Sequence, residues 1–199
     1  MAHYVFKRQI KKVISAALVF AIAALPFVQV KDYGTVNLDD YDYVAKAVDP
    51  GENVWNVSEA IWMPLTWLDY KIDFAVAKKL DSGLMRKKSP STFDIEERMH
   101  NIMHIHSLVI HSANAVLLLF LFLTLGLPLI PSALCALLWA VHPLRCESVC
   151  WIASRKDVLS MFWLLTAMLA WIGRGGNKTR AIGSIGYWAA LACFVLSAM

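Results

Sequence analysis

The sequence predicts an all-α membrane protein of about five transmembrane helices, and three observations carry that class. Of 199 residues, 58% are hydrophobic and only 17% are charged, against about 45–50% and a quarter in ordinary soluble domains. Mean hydropathy is +0.52, with eight Trp and nine Phe. The apolar residues gather into long runs bordered by lysine and arginine. Such a composition excludes intrinsic disorder, collagen and a small disulfide scaffold. The net charge of +4 is unevenly spread and does not point to nucleic acid.

The first expected span is 13–30, free of charge and flanked by Lys11, Lys12 and Lys31, with a kink at Pro26. A signal peptide competes for this segment, but the run exceeds the usual apolar core of about 7–15 residues. No small-x-small cleavage pattern follows Phe27. Further spans are expected at 108–127, 129–141, 158–172 and 181–199. The chain stops inside the last apolar run, at Cys193-Phe-Val-Leu-Ser-Ala-Met199, without a basic anchor. Residues 1–199 therefore read as one partial membrane domain, the N-terminal portion of a larger bundle.

Orientation follows from the basic residues. Lys7, Arg8, Lys11 and Lys12 precede the first span, and Arg174, Lys178 and Arg180 lie between the fourth and fifth, in both cases without acids. Four spans apart, the two segments share a side, which the positive-inside rule makes cytoplasmic. The expected outer loop, 31–107, carries nine Lys/Arg and 13 Asp/Glu.

That loop holds the first chemical signal. Asp39, Asp40 and Asp42 lie within four residues just after span one. Carboxylates there can serve as a general base, hold a divalent cation, or form a solvated acidic turn. Trp55, Trp62 and Trp67, followed by Leu68, Ile72 and Val76, suggest helices lying along the headgroups. Arg86-Lys87-Lys88-Ser-Pro90 reads as an exposed excursion. Ser91 or Thr92 is expected to cap a helix with Asp94, Glu96 and Glu97 in its first turn.

On that helix Glu97, His100, His104, Ser107, His111 and Asn114 recur every three or four residues and share one stripe. A polar stripe entering a bilayer faces the bundle interior or a wet cavity. It serves helix-to-helix hydrogen bonding or receives a substrate. His100 and His104 have zinc spacing, but the glutamate of HExxH is absent. Cys146 and Cys150 supply two sulfurs, too few for a zinc site, while Cys135 and Cys193 read as small span residues. No metal site or cofactor is expected, with a divalent cation left open.

The connection from span three to span four is dense in polar groups: His142-Pro-Leu-Arg145-Cys-Glu147-Ser-Val-Cys-Trp151-Ile-Ala-Ser-Arg155-Lys156-Asp157-Val-Leu-Ser160. Arg145, Arg155 and Lys156 could hold a phosphate or diphosphate, with Glu147 and Asp157 orienting them. Snorkelling anchors are the plainer reading of Arg155 and Lys156.

The string HPLxxESVxWxAxRKDVLS resembles the membrane domain of the transmembrane and tetratricopeptide-repeat O-mannosyltransferase-like family, a branch of the GT-C glycosyltransferases. Asn37-Leu-Asp39-Asp40 is similar to that family's acidic motif, and Trp62-Met-Pro64-Leu-Thr-Trp67-Leu to its W-H-P-L-T-W-L segment. His104 through His111-Ser-Ala-Asn114-Ala resembles its H-L-x-N-L-L-L-H-x-x-N-A span. Met63 departs from the family's histidine, and a charged insert occupies about 81–98.

The resemblance implies a GT-C-like bundle that transfers a sugar from a polyprenyl-phosphate carrier to a protein or glycan acceptor outside the cytoplasm, in a bacterial inner membrane. Asp40, with Asp39 beside it, is then the base on the acceptor hydroxyl. His104, His111, Asn114, His142, Glu147, Arg155, Lys156 and Asp157 are the residues expected at the donor. The partial chain is expected to be inactive alone. Two other readings stay open: a non-enzymatic membrane protein binding a lipid or partner, and a transporter fragment using the polar stripe.

Overall fold

Among the described residues every regular element is helical, and no strand occurs. The computed structural model describes residues 2–35, 39–49, 51, 53–55, 62–84, 92–173 and 185–199. Helix α1 (Ala2–Ala24) runs into a 3-10 segment (Leu25–Asp32). Then come α2 (Asp40–Val48), α3 (Pro64–Leu84), α4 (Thr92–Thr124), α5 (Leu129–Ala140) and α6 (Arg145–Cys150). A 3-10 turn (Ile152–Ser154) leads into α7 (Arg155–Ile172), and α8 is Ile185–Ser197.

Local chemistry sets the boundaries. The expected kink at Pro26 appears as the change from α to 3-10 winding, since proline cannot donate the helical hydrogen bond. At the end of α4, Gly126 adopts φ 94°. The Leu127 N–H donates to Phe122 O at 3.0 Å and the Gly126 N–H to Leu123 O at 3.2 Å. This paired closure needs a left-handed residue, which glycine supplies without strain. Helix α5 starts after extended Pro128 and stops at Val141, just before His142-Pro143. Proline biases the residue before it away from helix.

These boundaries bear on the sequence expectations. Two helical stretches are long and apolar enough to cross a membrane, Gln9–Asp32 and Met99–Thr124, matching the spans at 13–30 and 108–127. Helices α5 and α8 have 12 and 13 residues. Both are apolar and, on their described residues, shorter than the first two, with 174–184 ahead of α8 outside those residues. The span at 158–172 lies in α7, whose first turn carries Arg155, Lys156 and Asp157. The segment 31–107, expected as an outer loop carrying interfacial helices, contains α2, α3 and the first turns of α4. Asn37, the excursion at 86–90, and Arg174, Lys178 and Arg180 lie outside the described residues, as do the side chains of Asp94, Glu96 and Glu97.

Helix α4 is the axis, packed by α1, α3, α5 and α7, while α8 packs on α7. Three apolar clusters follow one another along it. Near its start Met99 and Met103 meet Tyr43, Trp67, Tyr70 and Ile152. In its middle Ile110 meets Phe27, Val149 and Val158. Toward its end Ala115, Leu118 and Leu119 meet Val19, Ala23, Ala136 and Leu165. Fully buried Ala23, Ala115, Ala136 and Ala140 allow close helix contact in this last cluster, the packing that suits helices without a water-driven core.

Outward faces are apolar as well. Ile130, Leu134 and Leu138 form an exposed stripe on α5 while Ser132, Ala136 and Ala140 face inward. On α3, exposed Leu68, Ile72, Val76 and Leu80 recur every four residues opposite buried Trp67, Tyr70 and Ala77. Only 22% of the best apolar window in α1 is buried. That sets α1 apart from the core helix of a water-soluble domain.

Candidate functional site

Arg155, at the first position of α7, is fully buried. Its Nη1 donates to Asp69 Oδ2 at 2.9 Å and also to Asp73 Oδ2. Nη2 donates to the Met103 carbonyl and Nε to Ser107 Oγ at 3.1 Å. The guanidinium carbon lies 4.8 Å from the centre of the Tyr70 ring. Asp73 uses its other oxygen, Oδ1, with His106 Nδ1 at 2.7 Å. Six side chains from α3, α4 and α7 thus share one ionic layer. Burial pushes the Tyr70 hydroxyl far above the ordinary phenol range, partly offset by Arg155. It stays protonated and donates to Ile152 O at 2.5 Å.

This layer departs from the expectation of an open phosphate clamp. The fork of Arg155 is taken up inside the protein by two carboxylates, a carbonyl and a hydroxyl. Sequence reading missed Asp69, Tyr70, Asp73 and His106. The available signal was Asp69 and Asp73 four residues apart, because like charges at that helical spacing repel unless a cation sits between them.

The adjoining acidic pair is divided. Asp40 is fully buried, and its Oδ1 accepts the Ala153 N–H at 2.9 Å. Asp39, at the N-cap of α2, is exposed. A base must come within hydrogen-bond reach of the hydroxyl it deprotonates, and of these two only Asp39 faces solvent. Asp40 was expected to be the base on the acceptor hydroxyl; here its carboxylate is buried and holds the 3-10 turn ahead of α7.

The α4 stripe from His104 to Asn114 does face inward. His104, Ser107, His111 and Asn114 are all at most 1% exposed. His111 Nε2 lies 3.0 Å from Ala140 O, with its ring stacked on Trp139. Asn114 Nδ2 donates to Val158 O at 2.8 Å. Those two residues pin α4 to α5 and α7, the helix-to-helix role. His104 sits edge-on to Tyr33.

The remaining predicted residues spread along the connection. His142 is exposed and accepts the Leu144 N–H at 3.3 Å. Glu147 and Asp157 are exposed. Arg145 lies over the Trp139 ring at 5.4 Å. Lys156 is half-buried, with Nζ 3.4 Å from Ala153 O. Lys156 and Asp157 line a cavity of about 240 Å³ together with Trp62, Thr66, Ser160 and the end of α8. Farther along the α7–α8 pair, Leu164, Met168, Trp171, Tyr187, Leu191 and Phe194 line an apolar groove of about 510 Å³. Ser160 Oγ donates to Ser197 O at 2.5 Å and joins the two helices between these spaces.

Cys146 and Cys150 lie on one face of α6 with their sulfurs 3.6 Å apart. Burial pushes the Cys150 thiol up to about 12, with Cys146 adding to the rise.

Fold and site together define a class: among the described residues, an all-α chain with two helices long and apolar enough to cross a membrane and a buried ionic layer against its central helix at 103–107. No protein-family model, curated protein or solved structure matches the chain.

Proposed function

We propose that the chain is the N-terminal part of a multi-pass membrane glycosyltransferase that takes a sugar from a polyprenyl-phosphate donor to an acceptor outside the cytoplasm. The N-terminus is cytoplasmic, in a bacterial inner membrane, and the ionic layer lies at the outer surface. One observation carries the reading. The α7–α8 pair presents a cavity of mixed lining that includes Lys156, Asp157 and Ser160 at one end, and an apolar groove along the rest. A phosphate head with a hydrocarbon tail has that same division. The exposed apolar face of α3 supports a helix lying at the headgroups.

In this reading Lys156 meets the donor phosphate as a point charge. Asp39 accepts the proton from the acceptor hydroxyl as the sugar bond forms and the phosphate leaves. Asp40 and Arg155 are positioning residues that fix the turn and helix end carrying Lys156. The five spans rest on the apolar runs of the sequence, and the GT-C-like bundle and mannose-type donor on the motif resemblance at 37–40, 62–68, 104–115 and 142–160. The 199-residue chain binds donor, and turnover belongs to the larger bundle.

The test is donor binding in proteoliposomes, comparing polyprenyl-phosphate mannose with the matching polyprenol. Phosphate-dependent binding that falls at least tenfold in Lys156→Ala is expected. Equal binding of the two lipids, or an unchanged Lys156→Ala variant, removes the donor assignment. The enclosure of Asp40 favours one second reading, a lipid-binding membrane protein without chemistry. That reading predicts donor binding but no transfer by any longer form of the protein.

A further inference from the structure

We propose that Asp69, Asp73 and His106 form a binding site for one divalent first-row metal ion, with zinc best suited to the donor set. Each residue offers one ligand atom, and these atoms all lie within 4.8 Å of one another. His106 Nδ1 is 2.7 Å from Asp73 Oδ1 and 3.6 Å from Asp69 Oδ2. With metal–ligand bonds of about 2.0–2.2 Å, tetrahedral zinc sets its ligands roughly 3.3 Å apart. The two histidine separations bracket that value.

The surroundings suit such an ion. Asp69 and Asp73 lie four apart on α3, and His106 faces them from α4. One imidazole nitrogen and two carboxylates are borderline-to-hard donors, appropriate to zinc or manganese. Arg155 Nη1 donates to an oxygen of both carboxylates. Ligating carboxylates are commonly held this way by an outer hydrogen bond that fixes their direction. Two carboxylates against one guanidinium leave one negative charge, which a divalent cation more than balances. The side chains of Asp73, Asp69 and His106 are 3%, 13% and 31% exposed. Burial therefore falls off toward His106, which gives the ion an entry path and leaves an outward position for a water or another oxygen ligand.

The alternative occupant of this space is the hydrogen that joins His106 and Asp73 in an ion-free salt cluster. The two cases differ in stoichiometry. The experiment uses the full chain in detergent with Cys146→Ser and Cys150→Ser, which removes the nearby thiols as competing zinc ligands. After chelator treatment the protein is titrated with zinc chloride by calorimetry and desalted for elemental analysis. One zinc per chain is expected, with affinity reduced at least tenfold in His106→Ala and in Asp69→Asn. Asp69→Asn leaves the Asp73–Arg155 pair in place, so it tests the ligand set without emptying the ionic layer. Helix content by circular dichroism checks that each variant is folded. Zinc below half an equivalent overturns the site. So does a stoichiometric zinc that survives both substitutions. The result is independent of lipid binding, which this titration does not involve.

Discussion

Asp40 on α2 and Ala153, 113 residues later, are joined by a 2.9 Å hydrogen bond from the Ala153 N–H to the buried carboxylate. The Ala153 carbonyl in turn lies 3.4 Å from Lys156 Nζ. One residue therefore meets Asp40 through its N–H and the cavity lysine through its carbonyl, on two successive peptide groups. Any influence of Asp40 on the donor runs through this turn, while Asp39 one residue earlier faces solvent.

That division separates two substitutions. On the proposed function, Asp39→Asn should lower transfer by about 10²–10⁴-fold, the usual cost of losing a general base, with donor affinity unchanged. Asp40→Ala should instead lower stability by about 1–3 kcal/mol, because the Ala153 N–H is left buried without its acceptor. Asp40→Asn keeps an acceptor oxygen and should retain most of that stability. Transfer assays alongside thermal unfolding make the comparison. Full activity in Asp39→Asn with none in Asp40→Asn would return the base to Asp40.

Arg155 should behave as a structural ion. Its removal leaves Asp69 and Asp73 facing each other around a buried space, and breaking a buried pair costs about 3–5 kcal/mol. Arg155→Ala should therefore unfold at lower denaturant than the parent, followed by helix content in detergent. Arg155→Lys should not recover the loss, since an ammonium cannot reproduce a planar fork that reaches two carboxylates, a carbonyl and a hydroxyl. Undiminished stability with lost lipid binding would make Arg155 a phosphate ligand after all.

The legible parts of the fold were those written in local pattern. Charge-free runs gave α1 and the later half of α4, and the three-and-four spacing gave the buried face at His104, Ser107, His111 and Asn114. The end of the helix at 129–141 was less legible, because apolar composition does not show where a helix stops. Pro128 and the His142-Pro143 step cut α5 to 12 residues. The ionic layer was hidden for a different reason. Asp69, Asp73, His106 and Arg155 come together only through the packing of α3, α4 and α7, and His106 lies off the polar stripe.

Cys150 gives a pH signature. Its thiol, raised from 9.0 to about 12 first by burial and then by Cys146, keeps its proton where an unfolded cysteine has lost it. The folded state then binds more protons, so this group's stabilising contribution is intact below about pH 9 and is lost as pH rises toward 12. Alkylation should be slow at Cys150 at pH 8 and rise about tenfold per pH unit, following the thiolate. Exposed Cys146 should be modified first. Mass spectrometry after timed iodoacetamide pulses resolves the two; equal rates at pH 8 would show that Cys150 is not held in the neutral form.

Sidedness is the most direct check on the membrane reading. The left-handed turn at Gly126 closes α4 at the end away from the ionic layer, and α5 returns from it toward the level of His111, where Ala140 meets that ring. Glu147 on α6 therefore lies near the ionic end and Leu127 at the opposite end. Both are exposed, so replacing either leaves the packed clusters untouched. In a background with all four native cysteines changed to serine, Glu147→Cys should react with a membrane-impermeant maleimide applied to the outside of intact cells. Leu127→Cys should react only after the membrane is opened, since the proposed orientation puts its side, with the basic N-terminal segment, in the cytoplasm. Reaction of both from outside would mean that α4 does not cross, and the donor cavity would then lose its place at the outer surface.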